Sequence, residues 1–464
     1  MKNRRVHITL TLTLAFIAIG LINIACGEDR REEYHEQTKV DRWIEKTMNQ
    51  HYYWEIPPAD KQRNYFSHPE EFFKSLLSDN EKKNGRYYSY IESIASAETR
   101  SIQNISNSYG FEFGYVPNLF KDAETQSNQM GVLVFYTVEN SPAREAGLKR
   151  GDWIIGTNGH YITEEDINTF LLGGAAQELQ LGTYQEGKDN NSGKWILSKE
   201  IYLPGARAIE DNPVHTTKIL NVEGKKVGYI LYNHFTTGKD KNVGDTSYDD
   251  AIRNVSKEFK KAGVDDVVLD LRYNNGGIIS SAALFCEVLA PASAQGETMY
   301  YLKFNRNYKD PWVEQTFDKK FLGDGVNLDL KNLYILTSNR TASASELIIN
   351  SLSPYMNVVL IGDKTEGKNL GSNEYTDDEN LWTMHPIVCQ IYNKDKESEY
   401  AKGFDPHFSS GEIGELYRLE ELGNPDEVLL NIALSVITNR IPAEKVKRGT
   451  RALTTDIKIL SPSL

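Results

Sequence analysis

Apolar and polar positions along this chain follow two different rhythms, and the changes between them mark out its elements. Short contiguous apolar runs at 226–233, 267–272, 333–336 and 358–361 predict buried strands. Between them, 248–262 carries apolar residues at helical spacing and is followed by Gly263, a residue suited to a helix C-terminal cap. Helices are predicted again at 278–289, 342–352 and 425–437. Strands alternating with helices predict an α/β core, which we place at 204–440. Upstream, 40–48 and 72–77 have helical spacing, interrupted by Pro57-Pro58 and by a polar run at 78–85. This predicts a small helical N-terminal domain over 27–105. Strand-like pieces at 178–181 and 195–197 fall in a separate region, 106–203, and 441–464 is left as a C-terminal tail.

The densest pattern lies in 333–372. It reads strand, polar turn, helix, strand, glycine-rich loop. That order puts Ser343 at the first turn of a helix, where unpaired N–H groups and the positive end of the helix dipole favour an oxyanion. Lys368 follows the next strand. In a parallel strand–helix–strand unit the turns after both strands lie at one edge of the sheet, so Ser343 and Lys368 can meet. A lysine in a partly desolvated site can act as a general base toward a serine nucleophile. A capping serine and a solvated lysine are the ordinary alternative for the same two residues.

Several motifs add a family resemblance. The segment Thr341-Ala342-Ser343-Ala344-Ser345-Glu346 resembles the nucleophile motif of the C-terminal processing peptidases, or tail-specific proteases. The resemblance implies Ser343 as nucleophile and the lysine of Gly367-Lys368, 25 residues further on, as its base. The family often carries a glutamine four residues after the lysine; here Ser372 stands there, and its hydroxyl can accept a hydrogen bond from the amine. Asp270-Leu271-Arg272-Tyr273-Asn274-Asn275-Gly276-Gly277 is similar to a second family motif. It implies an oxyanion hole made by the N–H of Gly276 or Gly277 and the N–H of Ala344. Two glycines would equally serve a turn, and Asp270 and Arg272 would form a structural pair. A segment at 401–406, with Gly403 before Asp405-Pro406, also resembles the family. The implied fold is a crotonase/ClpP-like α/β core.

The region 106–203 resembles a PDZ domain. Its signature is Ser141-Pro142-Ala143, Ala146-Gly147-Leu148, Gly151-Asp152-Trp153-Ile154 and Asn158-Gly159, preceded by Tyr109, Gly110, Phe111, Glu112 and Phe113. Those five resemble a carboxylate-binding loop and its strand, which would hold a peptide C-terminus by strand addition. A PDZ fold used only for packing is the alternative. The first 26 residues resemble a lipoprotein signal: Lys2, Arg4 and Arg5, an apolar stretch at 8–24, then Cys26 as the lipidated residue. An ordinary secretory signal or an uncleaved anchor fits the same pattern. Acidic residues after Cys26 resemble the signal that sends some lipoproteins of Bacteroidetes to the cell surface.

Composition narrows the field. A net charge of −13 argues against nucleic acid as a partner. At 464 residues, two or three domains are expected. Cys286 and Cys389 read as buried thiols, although a bridge between them is open. There is no GxSxG elbow, HExxH, paired CxxC or Walker motif, so no cofactor or metal is expected. Three functions follow: an exported, lipid-anchored serine endopeptidase acting on polypeptides with free C-termini; an inactive peptide-binding lipoprotein, favoured by the serine at 372; and an acyl-CoA enzyme of the crotonase fold, which an export signal opposes.

Overall fold

The computed structural model describes residues 31–440, apart from 59–62, 94–104, 122–127, 186–193, 241–243, 378, 380 and 413–418. The signal segment, Cys26 and the tail at 441–464 therefore lie outside the described residues. The chain divides into two compact units. One comprises 1–94 with 373–387, and the other 95–372 with 388–464.

The smaller unit is only partly the helical domain that the periodicity predicts. The helices Arg31–His51 and Pro69–Ser75 are present. Ile44, Met48, Phe72, Phe73 and Leu76 are buried. A three-stranded antiparallel sheet joins them, in which Tyr90–Ser93 pairs with Trp382–His385 and the latter with Tyr375–Thr376. Buried Glu81 ties the unit locally, accepting from the Tyr52 hydroxyl at 2.5 Å and the Ser89 N–H at 2.7 Å. Strands of two to four residues carry too few positions to show a period, and their partners lie some 290 residues apart in the chain. Sequence rhythm therefore leaves this sheet unseen.

The larger unit is built on a six-stranded sheet. Its order is Val214–Val222, Lys225–Tyr232, Asp266–Asp270, Asn332–Thr337, Asn357–Gly362, Phe408–Ser409. The first pair is antiparallel and every later pair is parallel. The central strands are apolar on both faces, as strands covered on both sides must be. Ile230, Val267, Leu269, Leu333, Ile335 and Leu360 enter one core with the helices Ser247–Ala262, Ile279–Leu289 and Ala344–Leu352. Tyr229, Leu231, Val268, Tyr334, Leu336 and Ile361 enter the other, covered by Val428–Ile437. Because the strands are parallel, the loops after Asp270, Thr337 and Gly362 emerge at the same edge. A second sheet, Trp312–Thr316, Thr298–Phe304, Ile387–Tyr392 and Leu370–Ser372, lies in the same unit.

Residues 106–203 contribute an antiparallel sheet ordered Lys194–Leu203, Gln177–Gln185, Trp153–Thr157, Asn128–Thr137, Phe111–Lys121. The helix Glu164–Leu172 begins with a capping box between Thr163 and Asp166. It packs Phe170 against Phe111 and Phe113, with ring centroids 5.8 and 6.2 Å apart. Arg150 is held to its own sheet through the Phe135 carbonyl at 3.0 Å, and it joins that sheet to the rest of the unit by donating to the Tyr273 hydroxyl at 2.6 Å and the Glu420 carbonyl at 2.7 Å. It also pairs with Glu412. Cys286 and Cys389 are both free and buried, so no bridge joins them.

Candidate active site

The strand Asn332–Thr337 delivers a polar turn that is stitched on both sides. The Ser338 N–H donates to Thr341 Oγ1 at 2.9 Å, and that hydroxyl donates to the Leu271 carbonyl at 2.9 Å. The Ala342 N–H donates to the Asn274 carbonyl at 3.2 Å, and the Thr341 carbonyl accepts from the Glu366 N–H at 2.9 Å. One turn is thus bonded to the glycine loop before it and to the lysine loop after it.

Ser343 closes the turn with φ 54° and ψ −112°, and the helix begins at Ala344. A non-glycine residue held at positive φ costs free energy and persists only where its surroundings enforce it. Here the enforcer is Glu346, three residues on. Its fully buried carboxylate accepts from the Ser343 N–H at 3.0 Å and the Lys368 N–H at 2.7 Å on one oxygen. The other oxygen accepts from the Gly367 N–H at 2.7 Å and the Thr365 hydroxyl at 2.6 Å. The Ser343 and Lys368 nitrogens therefore lie no further apart than two hydrogen bonds laid end to end. Burial pushes the Glu346 carboxyl up to about 7, against these four donors, which pull it down.

The lysine loop is clamped from behind. The Phe404 N–H donates to Thr365 Oγ1 at 2.8 Å, and the Thr365 N–H donates to the Phe404 carbonyl at 3.1 Å. A methyl group added at Gly403 would lie 2.0 Å from the Thr365 carbonyl oxygen, so only glycine fits. This gives a structural role to the 401–406 segment.

The glycine loop comes to the serine from the other side. Gly276 and Gly277 have φ of 110° and 132°, a region open to glycine. A methyl group at Gly276 would lie 2.7 Å from Ser343 Cβ and 3.1 Å from the Ala344 nitrogen. The Gly276 N–H is engaged, donating to Asn274 Oδ1 at 2.9 Å, while the Gly276 carbonyl accepts from the Phe235 N–H at 2.8 Å. The Gly277 N–H has no partner among the described residues. Of the two glycines named from the sequence, Gly277 is thus the one with a donor to offer, together with the first-turn N–H of Ala344.

Asp270 and Arg272 pair structurally, as the sequence suggests. Both are fully buried, with Arg272 Nε 3.0 Å from Asp270 Oδ1. Arg272 also grips Glu427 bidentately at 2.7 and 2.9 Å. Burial opposes the charge on Glu412, but Arg150 and Arg272 hold its carboxyl down to about 2. This network underpins the glycine loop without facing the serine.

The sequence-derived residues fare differently. The backbones of Ser343 and Lys368 meet at Glu346, and Gly276, followed by Gly277, lies beside Ser343 Cβ and the Ala344 nitrogen. Ser372 ends the strand Leu370–Ser372, is exposed, and its hydroxyl has no partner among the described residues. Tyr109 is buried, and Gly110, at φ 74°, has no room for a side chain beside Ser141. Phe111 and Phe113 point into the helix-side core, whereas Glu112 reaches the turn before Ser343, where it meets Arg340. Sequence reasoning missed Glu346, although Ser343-x-x-Glu346 has the spacing of a capping box, and it missed Arg340 altogether. Among the described residues no group of three or more His, Cys, Asp and Glu side chains is placed to hold a metal.

The model of peptidase family S41 matches residues 226–410, and that of the S41 N-terminal domain matches 39–90. A structure described as an S41 protease from Bacteroides fragilis is 35% identical, covers 86% of this chain and 97% of its own, and superposes with a TM-score of 0.75. Carboxyl-terminal-processing proteases of a Synechocystis and a Picosynechococcus strain are each 27% identical, over 53% and 51% of this chain and 51% and 50% of theirs. The chain spans about half the length of these curated relatives.

Proposed function

This chain belongs to peptidase family S41, and from that premise we propose that it is a serine endopeptidase cleaving polypeptides with Ser343 and Lys368. In its neutral form the Lys368 amine takes the Ser343 hydroxyl proton as the oxygen attacks the scissile carbonyl. The N–H groups of Gly277 and Ala344 hold the resulting oxyanion. The tetrahedral species collapses to a Ser343 ester, the C–N bond breaks, and the Lys368 ammonium returns its proton to the leaving amine. Water then gives a proton to Lys368 as it attacks the ester, the bond from the acyl carbon to Ser343 Oγ breaks, and the Lys368 ammonium returns the proton to Ser343 as the acid leaves.

The observation that carries this reading is the shared oxygen of Glu346. It bonds the backbone of the nucleophile and of the base at once, while Gly276 packs against Ser343 Cβ. A capping serine and a surface lysine would need neither the strained Ser343 backbone nor this common anchor. Ser372, four residues beyond Lys368, is the candidate for orienting its amine, and Ser372→Ala should then lower kcat without raising KM. Residues 106–203 act as a PDZ-type module that docks the substrate's C-terminus on the strand Phe111–Lys121, beside Gly110. Residues 1–26 direct export and lipid attachment at Cys26 to the outer membrane. Cys26→Ala should release the protein from the membrane fraction.

The test is cleavage of an unstructured protein with an apolar C-terminus. Wild type should cut it, and Ser343→Ala and Lys368→Ala should not. Amidating the substrate C-terminus should raise KM if docking precedes cleavage. Equal cleavage by the Ser343→Ala protein would refute the assignment.

A further inference from the structure

The smaller unit carries a patch on its surface that peptide hydrolysis does not use. Tyr34, at 43% exposure, and Phe66, at 59%, stand together with ring centroids 5.4 Å apart. Phe66 is held out at the tip of a turn. Its N–H donates to Asn64 Oδ1 at 3.1 Å, and the Ser67 hydroxyl donates to the Asn64 carbonyl at 2.7 Å. Tyr34, Thr38 and Arg42 follow at four-residue steps along one face of the helix Arg31–His51. The Thr38 hydroxyl donates to the Tyr34 carbonyl at 2.8 Å, and Arg42 Nε donates to that hydroxyl at 3.0 Å. The exposed Arg42 guanidinium lies over the Tyr34 and Tyr65 rings, 5.5 and 5.3 Å from their centres. Glu45, one turn further on, is taken by Arg63 and by the Tyr65 hydroxyl, and Arg42 makes no ion pair among the described residues.

Single exposed apolar side chains are ordinary on a protein surface. Two touching rings beside a guanidinium without a carboxylate, each held in place by its own hydrogen bonds, form a composite that matches one environment. Aromatic rings settle at the headgroup level of a bilayer, and an arginine there reaches a lipid phosphate. Position in the chain gives the second reason. The helix begins at Arg31, five residues beyond Cys26. Five residues span at most about 18 Å whatever path they take, and Tyr34 lies in the first turn of the helix. A lipid on Cys26 therefore keeps this end of the helix close to the membrane. The net charge of −13 gives an anionic surface no general attraction for the protein, so the contact depends on the rings and the one guanidinium.

We propose that the face bearing Tyr34, Arg42 and Phe66 rests on the bilayer that holds the anchor, with both rings in the headgroup layer and the guanidinium on a lipid phosphate. This rests on the lipid attachment at Cys26 given above. A single tether leaves the smaller unit free to turn, and a second contact at the surface fixes which face it turns to the lipid. Two rings and one guanidinium are too little to hold the protein by themselves, since stable attachment takes two signals of which the acyl chains are the stronger. The patch orients the unit, and Cys26→Ala is still released.

The experiment uses the full lipidated chain on phosphatidylcholine vesicles and the full-length Cys26→Ala protein without vesicles. Hydroxyl-radical oxidation of Tyr34 and Phe66 is read by peptide mass spectrometry against an added dosimeter peptide. Both residues should lose most of their oxidation on the vesicles. In the lipidated variant Tyr34→Ser/Arg42→Gln, which keeps Phe66 as reporter and alters only exposed side chains, Phe66 should regain it while the protein stays with the vesicles. Phe66 shielded equally in that variant would show that nearness to the tether is enough, and it overturns the proposal. So does oxidation of wild type that vesicles leave unchanged. Shielding of Phe66 in Cys26→Ala without vesicles, growing with protein concentration, makes a second copy of the chain the occupant and overturns it too. Retention of Cys26→Ala in the membrane fraction removes the lipid-attachment reading and the proposal with it.

Discussion

Glu346 shows how one buried side chain can fix the backbone of two loops at once. Its four donors are three backbone N–H groups and one hydroxyl, a set that suits a carboxylate and has no place for an added proton facing Ser343 or Lys368. Burial nonetheless raises its pKa to about 7. The sign follows: a carboxyl whose folded-state pKa lies above its unfolded value favours folding at low pH, and this contribution is lost as pH rises from about 4.5 to about 7. Activity should move the other way, rising as Glu346 ionises. A pH–rate profile should therefore have an acid limb near about 7, and Glu346→Gln should remove that limb along with most of kcat. Gly276→Ala tests the opposite wall. A methyl 2.7 Å from Ser343 Cβ should lower kcat on the order of 100-fold by displacing the oxyanion donors, with a circular dichroism spectrum like that of wild type. Ser343 itself is strained, so Ser343→Gly should be more stable than Ser343→Ala by about 1 kcal/mol in urea denaturation.

The elements that position these residues were mostly legible from their rhythm. The predicted strand at 333–336 is Asn332–Thr337, and the helix predicted at 342–352 is Ala344–Leu352. The helix predicted at 248–262 is Ser247–Ala262, capped by Gly263 at φ 68°. Contiguous apolar runs and helical spacing survive because these elements are long and covered on known faces. That the backbones of Ser343 and Lys368 share a partner in Glu346 agrees with parallel strands putting their following loops at one edge. What rhythm does not carry is long-range pairing. The sheet of Tyr90–Ser93 with Trp382–His385 turned an expected helical domain into a mixed one that borrows 373–387. The strained backbone of Ser343 was equally hidden, because no GxSxG pattern announces it. Arg340 and Glu112 are 228 residues apart and have no motif between them.

Over the whole molecule, buried charge is the recurring means of joining parts. Arg272 meets Asp270 and Glu427, and Arg150 ties the 106–203 sheet to Glu412. Removing one partner of a buried pair leaves the other unpaired, so Arg272→Met should cost about 3–5 kcal/mol of stability. Glu412 sets the pH window for this network. Its folded-state pKa of about 2 lies below its unfolded value, so its contribution is present above about 4.5 and lost as pH falls toward about 2. Thermal melts from pH 5 to pH 2 should show that loss in wild type and a smaller one in Glu412→Gln. Such a scaffold keeps the loops after three parallel strands fixed relative to each other, as the proposed Ser343–Lys368 dyad requires.

Whether Ser343 is a nucleophile activated by Lys368 is best decided by acylation of the protein with a serine-directed fluorophosphonate, followed by peptide mapping of the modified residue. Wild type should carry the label on Ser343, faster as pH rises, and Lys368→Ala should react at least about 100-fold more slowly with its fold intact. A label spread over other serines, or one that reaches Ser343 equally fast in Lys368→Ala, would contradict the Ser343–Lys368 assignment.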